Sequence, residues 1–281
     1  MAMPARYAVF GQPIAHSLSP RIHAMFAAQF RIALDYRAIG AGRDDFARVL
    51  EAFARDGGRG ANVTLPLKED AASLCTALSD RARRCGSVNT LVREGDGWHG
   101  DSTDGAGLLQ DLRSRCAFEP SGRRCLVLGA GGAARAIAFA LADAGIAGLA
   151  IWNRTHERAV ALAARIGRPN VGALATADLA RSDAFDFIVH ATAAGHDDDA
   201  FDLPANLVAS GTLCYDLSYG VAARPFLDAA TRAGAVRVCD GLGMLVEQAA
   251  ESFRLWHGRE PDTAPVFDAL RHEHALSNEG A

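Results

Sequence analysis

The residues able to do chemistry begin at a glycine turn. Gly129-Ala130-Gly131-Gly132-Ala133-Ala134 follows a continuously apolar run at 126–128 and precedes a stretch at 135–144 that reads as helix. In a strand, turn and helix start of this kind, Gly129 can take the φ of a sharp turn, Gly131 lacks the Cβ that would block a phosphate, and Ala134 lets the helix pack close to the sheet. Free N–H groups at the helix start, with the positive end of its dipole, suit a pyrophosphate, so dinucleotide binding is expected. The alternative is a glycine turn required by sterics alone. The next strand, over 149–152, ends in Asn153-Arg154-Thr155, followed by Arg158. NAD sites usually carry Asp or Glu there for the ribose 2′-hydroxyl. A carboxylate would repel a 2′-phosphate and two guanidiniums attract it, which points to NADP(H). The other use of these arginines would be to solvate the helix over 157–166.

A second set of polar residues lies in the first hundred positions. Ser17 and Ser19 occupy a loop that leads to Pro20, and Ile22, Met25, Phe26 and Phe30 then recur at helical spacing. Ser19 is expected as N-cap and Pro20 as the first helical residue, while Ser17 has no such duty. Two hydroxyls at a helix start also make a carboxylate receptor. In Asn62-Val63-Thr64-Leu65-Pro66-Leu67-Lys68 a strand ends near Thr64 and Pro66 is expected to open a helix, which places Asn62, Thr64 and Lys68 on the rim where such sheets bind ligands. A polar strand end and a solvated lysine are the alternatives. Asn89 interrupts an apolar strand over 87–92, and Asp104 stands before a helical face of Leu108, Leu109 and Leu112, either as its N-cap or as a carboxylate facing the cofactor from the crossing between domains.

Around these residues, strands over 7–10, 35–39, 149–152, 185–189, 213–217 and 236–239 alternate with helical segments, and 87–92 with 98–100 reads as a hairpin around Glu94-Gly95-Asp96-Gly97. The fold class is therefore α/β with mostly parallel sheets. A length of 281 residues suggests two domains. The expected division is an α/β substrate-binding and catalytic domain, 1–104, to which helices in 241–281 return, and a Rossmann-type NADP-binding domain, 105–240. A formal charge of −4 without basic clusters excludes a nucleic-acid surface. The most apolar region, 136–152, is interrupted by Asp143 and Gly145 and is not a membrane span. No signal peptide is legible at the start, and the six dispersed cysteines read as reduced packing residues, so a cytoplasmic setting is expected. No metal site is expected, since the spacing of His272-Glu273-His274 fits no helical zinc motif. His190, at a strand end without an evident carboxylate partner, reads as a packed or hydrogen-bonding residue, not a base.

Several motifs occur in order: Ile14-Ala15-His16-Ser17-Leu18-Ser19-Pro20, Asn62 to Lys68, Ser87-Val88-Asn89-Thr90, Thr103-Asp104-Gly105, the glycine turn, Asn153-Arg154-Thr155, Tyr215-Asp216-Leu217, and Asp240-Gly241-Leu242-Gly243-Met244-Leu245-Val246-Glu247-Gln248. Together, from Gly11 to about Leu270, they resemble the shikimate dehydrogenase family, whose members interconvert shikimate and 3-dehydroshikimate with NADP(H). The resemblance implies that Ser17 and Ser19 hold the substrate carboxylate with help from Tyr219, and that Thr64, Lys68, Asn89, Asp104 and Gln248 surround the substrate hydroxyls. It implies Lys68 and Asp104 as the catalytic pair, an ammonium and a carboxylate that manage one proton while the cofactor handles hydride. On the cofactor side it implies Gly129, Ala130, Gly131, Gly132, Ala133, Asn153, Arg154, Thr155, Arg158, Thr192, Gly241 and Met244. From the residues alone, Gln248 is equally an ordinary polar position on a helix. The chain departs from the family pattern at Ser102, where Asn is usual, and at His190-Ala191-Thr192-Ala193, where Asn-x-Thr-Ser is usual. The partner implied is a small-molecule substrate, with the protein a monomer or homodimer. The rival readings are a relative that also takes quinate or prefers NAD, and an NADP-binding sensor without catalysis.

Overall fold

In the computed structural model, which describes residues 4–192 and 202–279, the chain divides into two compact units, Met1–Gly107 with Val246–Ala281, and Leu108–Leu245. The first unit opens with β1 (Ala5–Gly11), α1 (Ser19–Gln29), β2 (Leu34–Gly40), α2 (Phe46–Arg55), β3 (Gly58–Val63), α3 (Lys68–Leu74), β4 (Ala77–Leu78), α4 (Asp80–Cys85), β5 (Thr90–Glu94) and β6 (Gly97–Asp101), followed by the start of α5 (Asp104–Ser114). Its sheet runs β2-β1-β3-β5-β6-β4. β2, β1 and β3 are parallel, the β5–β6 hairpin enters antiparallel to β3, and β4 pairs in parallel with β6. Phe10, Phe46, Leu50, Phe53, Leu91 and Trp98 fill the core between this sheet and its helices.

The second unit continues with β7 (Arg124–Leu128), α6 (Gly132–Asp143), β8 (Gly148–Trp152), α7 (His156–Ile166), β9 (Val171–Ala173), α8 (Thr176–Leu179), β10 (Phe185–His190), β11 (Val208–Asp216), α9 (Arg224–Arg232) and β12 (Arg237–Cys239). All its strand pairs are parallel, in the order β12-β11-β10-β7-β8-β9. Chain direction along the sheet reverses between β7 and β10, the switch point at which doubly wound sheets bind ligands. The chain closes with α10 (Leu242–His257) and α11 (Ala264–Glu279). The two divisions between the units fall inside α5 and α10.

Several local expectations need correction. Leu18 already has helical dihedrals and its carbonyl accepts from Ile22 N–H, so α1 begins at Ser19, with no side-chain cap. Ser19 is thus the first helical residue and not the N-cap. Ser17 does have a local duty, because its Oγ accepts the Ser19 N–H at 3.3 Å. Pro66 does not open a helix: Leu67 N–H bonds the Thr64 carbonyl, closing a turn, and α3 starts only at Lys68. Asn89 precedes β5 instead of interrupting it, and α6 starts at Gly132, three residues before Arg135. Asp104 is the first residue of α5, not its cap. Ala193 and most of the acidic loop 196–202 lie outside the described residues.

Candidate active site

In the first unit, Lys68 and Asp104 meet. Lys68 opens α3, directly after the turn at the carboxyl end of β3, and Asp104 opens α5, three residues past β6. Lys68 Nζ donates to Asp104 Oδ2 at 2.5 Å, with both side chains largely buried. Asn89, just ahead of β5, donates from Nδ2 to Asp104 Oδ1 at 3.0 Å and to Gln248 Oε1 at 3.0 Å. Its Oδ1 accepts the Thr103 N–H at 2.7 Å. Both ends of this one amide are thereby fixed, and both oxygens of Asp104 accept, which pins the carboxylate in place. Thr103 also bonds Asn89 Nδ2 through its hydroxyl, at 2.8 Å.

The segment that carries Asp104 is anchored from behind. Arg81 forms a two-toothed pair with Asp101 at 2.6 and 2.8 Å and reaches Glu251 at 2.9 Å. Burial raises the Asp101 pKa, but the Arg81 guanidinium and the Ser79 hydroxyl outweigh it and hold the carboxyl below its ordinary range. Ser102, where the family usually has Asn, is buried, and its hydroxyl has no protein partner.

A buried polar chain leads from this cluster to Tyr36 of β2 and His23 of α1. Thr90 and Ser252 hydroxyls lie 2.8 Å apart, and Asn62 Nδ2 donates to Ser252 Oγ at 2.9 Å. Asn62 Oδ1 accepts from Tyr36 at 2.7 Å and faces His23 Nε2 at 3.1 Å. Because an amide oxygen only accepts, His23 carries its proton on Nε2. Complete burial outweighs that bond and pushes the His23 pKa down to about 3. Thr64 stands at the end of β3 with its N–H on the Phe10 carbonyl and its own carbonyl on Leu67. The first unit therefore gathers Lys68, Asp104, Asn89 and Gln248 in one bonded cluster, while Ser17 and Ser19 bond each other at the start of α1.

The second unit holds the remaining expected residues. Gly129 adopts φ 129°, and a Cβ there would sit 2.7 Å from the Ala191 carbonyl oxygen, so both its conformation and its packing require glycine. A Cβ on Gly131 would meet nothing within 4 Å. The stretch Gly131 to Ala133 is thus partly exposed at the start of α6, with open space where a Cβ on Gly131 would stand, as a pyrophosphate requires. Asn153 Nδ2 bonds the Thr155 carbonyl at 2.9 Å, which orders the turn from β8 into α7 and leaves Arg154 and Arg158 exposed beside it. Arg158 also lines a cavity of about 240 Å³ with Arg135 and Arg165. This side of the sheet fits a 2′-phosphorylated dinucleotide, with guanidiniums where a ribose-binding carboxylate would otherwise stand.

His190 does have a carboxylate partner, contrary to the sequence reading. Its Nδ1 is 2.8 Å from Asp216 Oδ2, and its Nε2 is 2.6 Å from the Thr192 hydroxyl. With the carboxylate accepting, Nδ1 carries a proton, and Nε2 bonds the Thr192 hydroxyl. Thr192 is fixed beside Gly129 in this way. Gly241 N–H bonds the Ser218 carbonyl at 2.7 Å, Met244 N–H lies 3.3 Å from the Tyr215 hydroxyl, and Tyr219 is half-buried at the start of a 3₁₀ turn, Gly220–Ala223. Sequence reasoning missed Thr103, Tyr36, His23, Thr90 and Ser252 as members of the polar network. His23 carried a signal, since it lies one turn after Ser19 on a helix whose neighbouring positions, Ile22 and Phe26, are buried.

Among the described residues no helix is long and apolar enough to cross a membrane. The family model of the shikimate dehydrogenase substrate binding domain matches residues 9–91, that of shikimate / quinate 5-dehydrogenase matches 113–197, and that of the shikimate 5'-dehydrogenase C-terminal domain matches 241–271. A shikimate dehydrogenase (NADP(+)) of Xanthomonas campestris pv. campestris is 56% identical over 275 residues, 97% of each chain. The crystal structure of an Ael1 enzyme from Pseudomonas putida superposes with a TM-score of 0.87 at 38% identity, covering 95% of this chain and 98% of that one. Shikimate 5-dehydrogenase from Thermus thermophilus, solved in complex with NADP(H) and shikimate, gives a TM-score of 0.82 at 37% identity over 95% of this chain and 99% of its own.

Proposed function

We propose that this chain, which belongs to the shikimate dehydrogenase family, reversibly reduces 3-dehydroshikimate to shikimate with NADPH, in the biosynthesis of aromatic amino acids through chorismate. The observation that carries this reading is the buried contact of Lys68 with Asp104 at 2.5 Å. Reduction of a ring ketone needs one proton delivered to the carbonyl oxygen, and an ammonium held by a carboxylate supplies and recovers it. Both oxygens of Asp104 already accept hydrogen bonds, so it acts as the acceptor that orients Lys68, and Lys68 is the donor toward the substrate oxygen. NADP(H), when bound, supplies or takes the hydride.

The remaining roles are those that the family resemblance implies. Ser17 and Ser19, at the start of α1, receive the substrate carboxylate together with Tyr219. Thr64, Asn89 and Gln248 bond the ring hydroxyls. In the second unit, Gly129, Ala130, Gly131, Gly132 and Ala133 cradle the pyrophosphate. Asn153, Arg154, Thr155 and Arg158 take the adenosine 2′-phosphate, and Thr192, Gly241 and Met244 line the nicotinamide end. The substrate-binding and catalytic part then corresponds to 1–104 with 241–281 returning, and the NADP-binding part to 105–240. The protein works in the cytoplasm as a monomer or homodimer, and with a formal charge of −4 it has no nucleic-acid partner. The test is NADPH consumption on addition of 3-dehydroshikimate, with quinate against shikimate and NAD against NADP in the oxidative direction. Tight NADPH binding without substrate-dependent consumption would favour a sensor instead.

A further inference from the structure

We infer that Cys116 and Cys239 form a reversible oxidation site in the second unit, at which a hydroperoxide closes the two thiols into a disulfide while the other cysteines stay reduced. Cys116 follows α5, and Cys239 is the last residue of β12, 123 positions away, yet their sulfurs are 3.2 Å apart, with Cys116 S–H donating. A second contact ties the same two segments, since the Arg237 guanidinium bonds the Cys116 carbonyl. The other thiols are placed differently. Cys75 donates to the Ala71 carbonyl, Cys85 to those of Ala82 and Ser87, and Cys125 to that of Arg123. Burial pushes the pKa values of Cys75, Cys125 and Cys214 up to about 12. Cys239 shifts the opposite way: the S–H of Cys116 favours its thiolate, and Arg237 adds to this against burial and the carboxylates of Asp111 and Asp240. Cys239 is also only partly buried, whereas Cys116 is buried, so the thiol that ionises first is the one solvent reaches.

The chemistry balances with one peroxide. The Cys239 thiolate attacks the O–O bond; an S–O bond forms, O–O breaks, and the leaving hydroxide takes a proton, giving a sulfenic acid. Cys116 then loses its proton and attacks the Cys239 sulfur; S–S forms, S–O breaks and water leaves. Two thiols are oxidised by two electrons and hydrogen peroxide is reduced to two waters. Bonding requires the sulfurs to approach by about 1 Å, given an S–S length near 2.0 Å. Cys239 is held in β12 by its pairing opposite Tyr215 of β11, and Gly241 just after it is bonded to the Ser218 carbonyl at 2.7 Å. The Cys116 side is a connection outside any strand or helix, in which Ala117 holds φ 44°, a left-handed conformation disfavoured for an alanine. That segment therefore takes up the movement.

The test treats the full-length protein with stoichiometric hydrogen peroxide and maps it by mass spectrometry without reduction. The expected result is loss of two hydrogens, one peptide pair joining positions 116 and 239, a fall in free thiols from six to four, and full reversal by dithiothreitol. The oxidised protein should also melt several degrees higher, since the bond closes a long loop. In Cys116→Ser, peroxide should leave Cys239 as a sulfenic acid that dimedone traps; in Cys239→Ser, Cys116 should remain a thiol. A cross-link to any other cysteine, oxidation confined to over-oxidised single thiols, dimedone labelling of Cys116 in Cys239→Ser, or a lower melting temperature on cross-linking would each overturn the proposal. The mapping on the unsubstituted protein stands even if a variant does not fold.

Discussion

Asn89 Nδ2 bonds one oxygen of Asp104 at 3.0 Å while Lys68 holds the other at 2.5 Å, so the carboxylate is gripped from both sides. The grip extends through Gln248 and Thr103, which share the same Asn89 amide. A carboxylate fixed this firmly can hold an ammonium in one position, which a proton donor needs.

Removing the amide should loosen the pair. Asn89→Ala is expected to lower kcat/KM for 3-dehydroshikimate by roughly 10- to 100-fold and to cost about 1–3 kcal/mol of stability, because Asp104 Oδ1 and Gln248 lose a buried donor. Steady-state kinetics and denaturant unfolding on the same variant check both. An unchanged kcat/KM would show that Asn89 neither positions Asp104 nor touches the substrate.

Arg154 and Arg158 stand exposed beside an ordered turn where an NAD site would carry a carboxylate. Each Arg→Ala change should raise KM for NADPH about 10-fold, and the double variant about 100-fold, from the loss of charge-assisted bonds to the 2′-phosphate. KM for NADH should stay where it is. Equal effects on the two cofactors would contradict the assignment.

His23 gives a pH dependence of stability. Its ordinary pKa of 6.5 falls to about 3 in the fold, because burial penalises the charged ring. Below pH 6.5 the unfolded chain takes up a proton that the native chain refuses. The contribution is therefore full above 6.5 and is lost as pH falls toward 3, at up to about 1.4 kcal/mol per pH unit. Unfolding free energies between pH 6.5 and 5, above the range where Asp101 and Glu251 protonate, should show this slope in the unsubstituted protein. His23→Gln keeps an N–H donor for Asn62 and should flatten the slope by close to one proton. His257, whose pKa burial also lowers, remains in both proteins and cancels from the difference.

The parts legible in sequence are those set by local pattern. The glycine turn, its flanking strand and helix, and the arginines after β8 are all read within a few tens of residues, where backbone sterics and charge decide the outcome. Short or marginal elements were not legible. β4 has only two residues, and its existence depends on pairing with β6, which no local period reveals. The start of α1 shifted by one residue because Leu18 joins the helical turn and no side chain competes to cap it. Contacts between distant segments were the least accessible. His190 and Asp216 meet because each is the last residue of neighbouring parallel strands in register, a relationship that appears only once β10 and β11 are paired. The link from Asn62 to Ser252 spans 190 positions and joins β3 to α10. Family resemblance supplied the roles of Asn89 and Gln248; nothing in the local sequence showed that the two side chains touch.

The central claim is that Lys68, oriented by Asp104, passes the proton in the reduction. Its most direct measurement is the initial rate of NADPH consumption with 3-dehydroshikimate for Lys68→Ala against the unsubstituted protein. The account predicts a fall in kcat on the order of 10²-fold or more with little change in KM, since the lost interaction belongs to the transition state. A variant that folds and turns over at a near-normal kcat would contradict it.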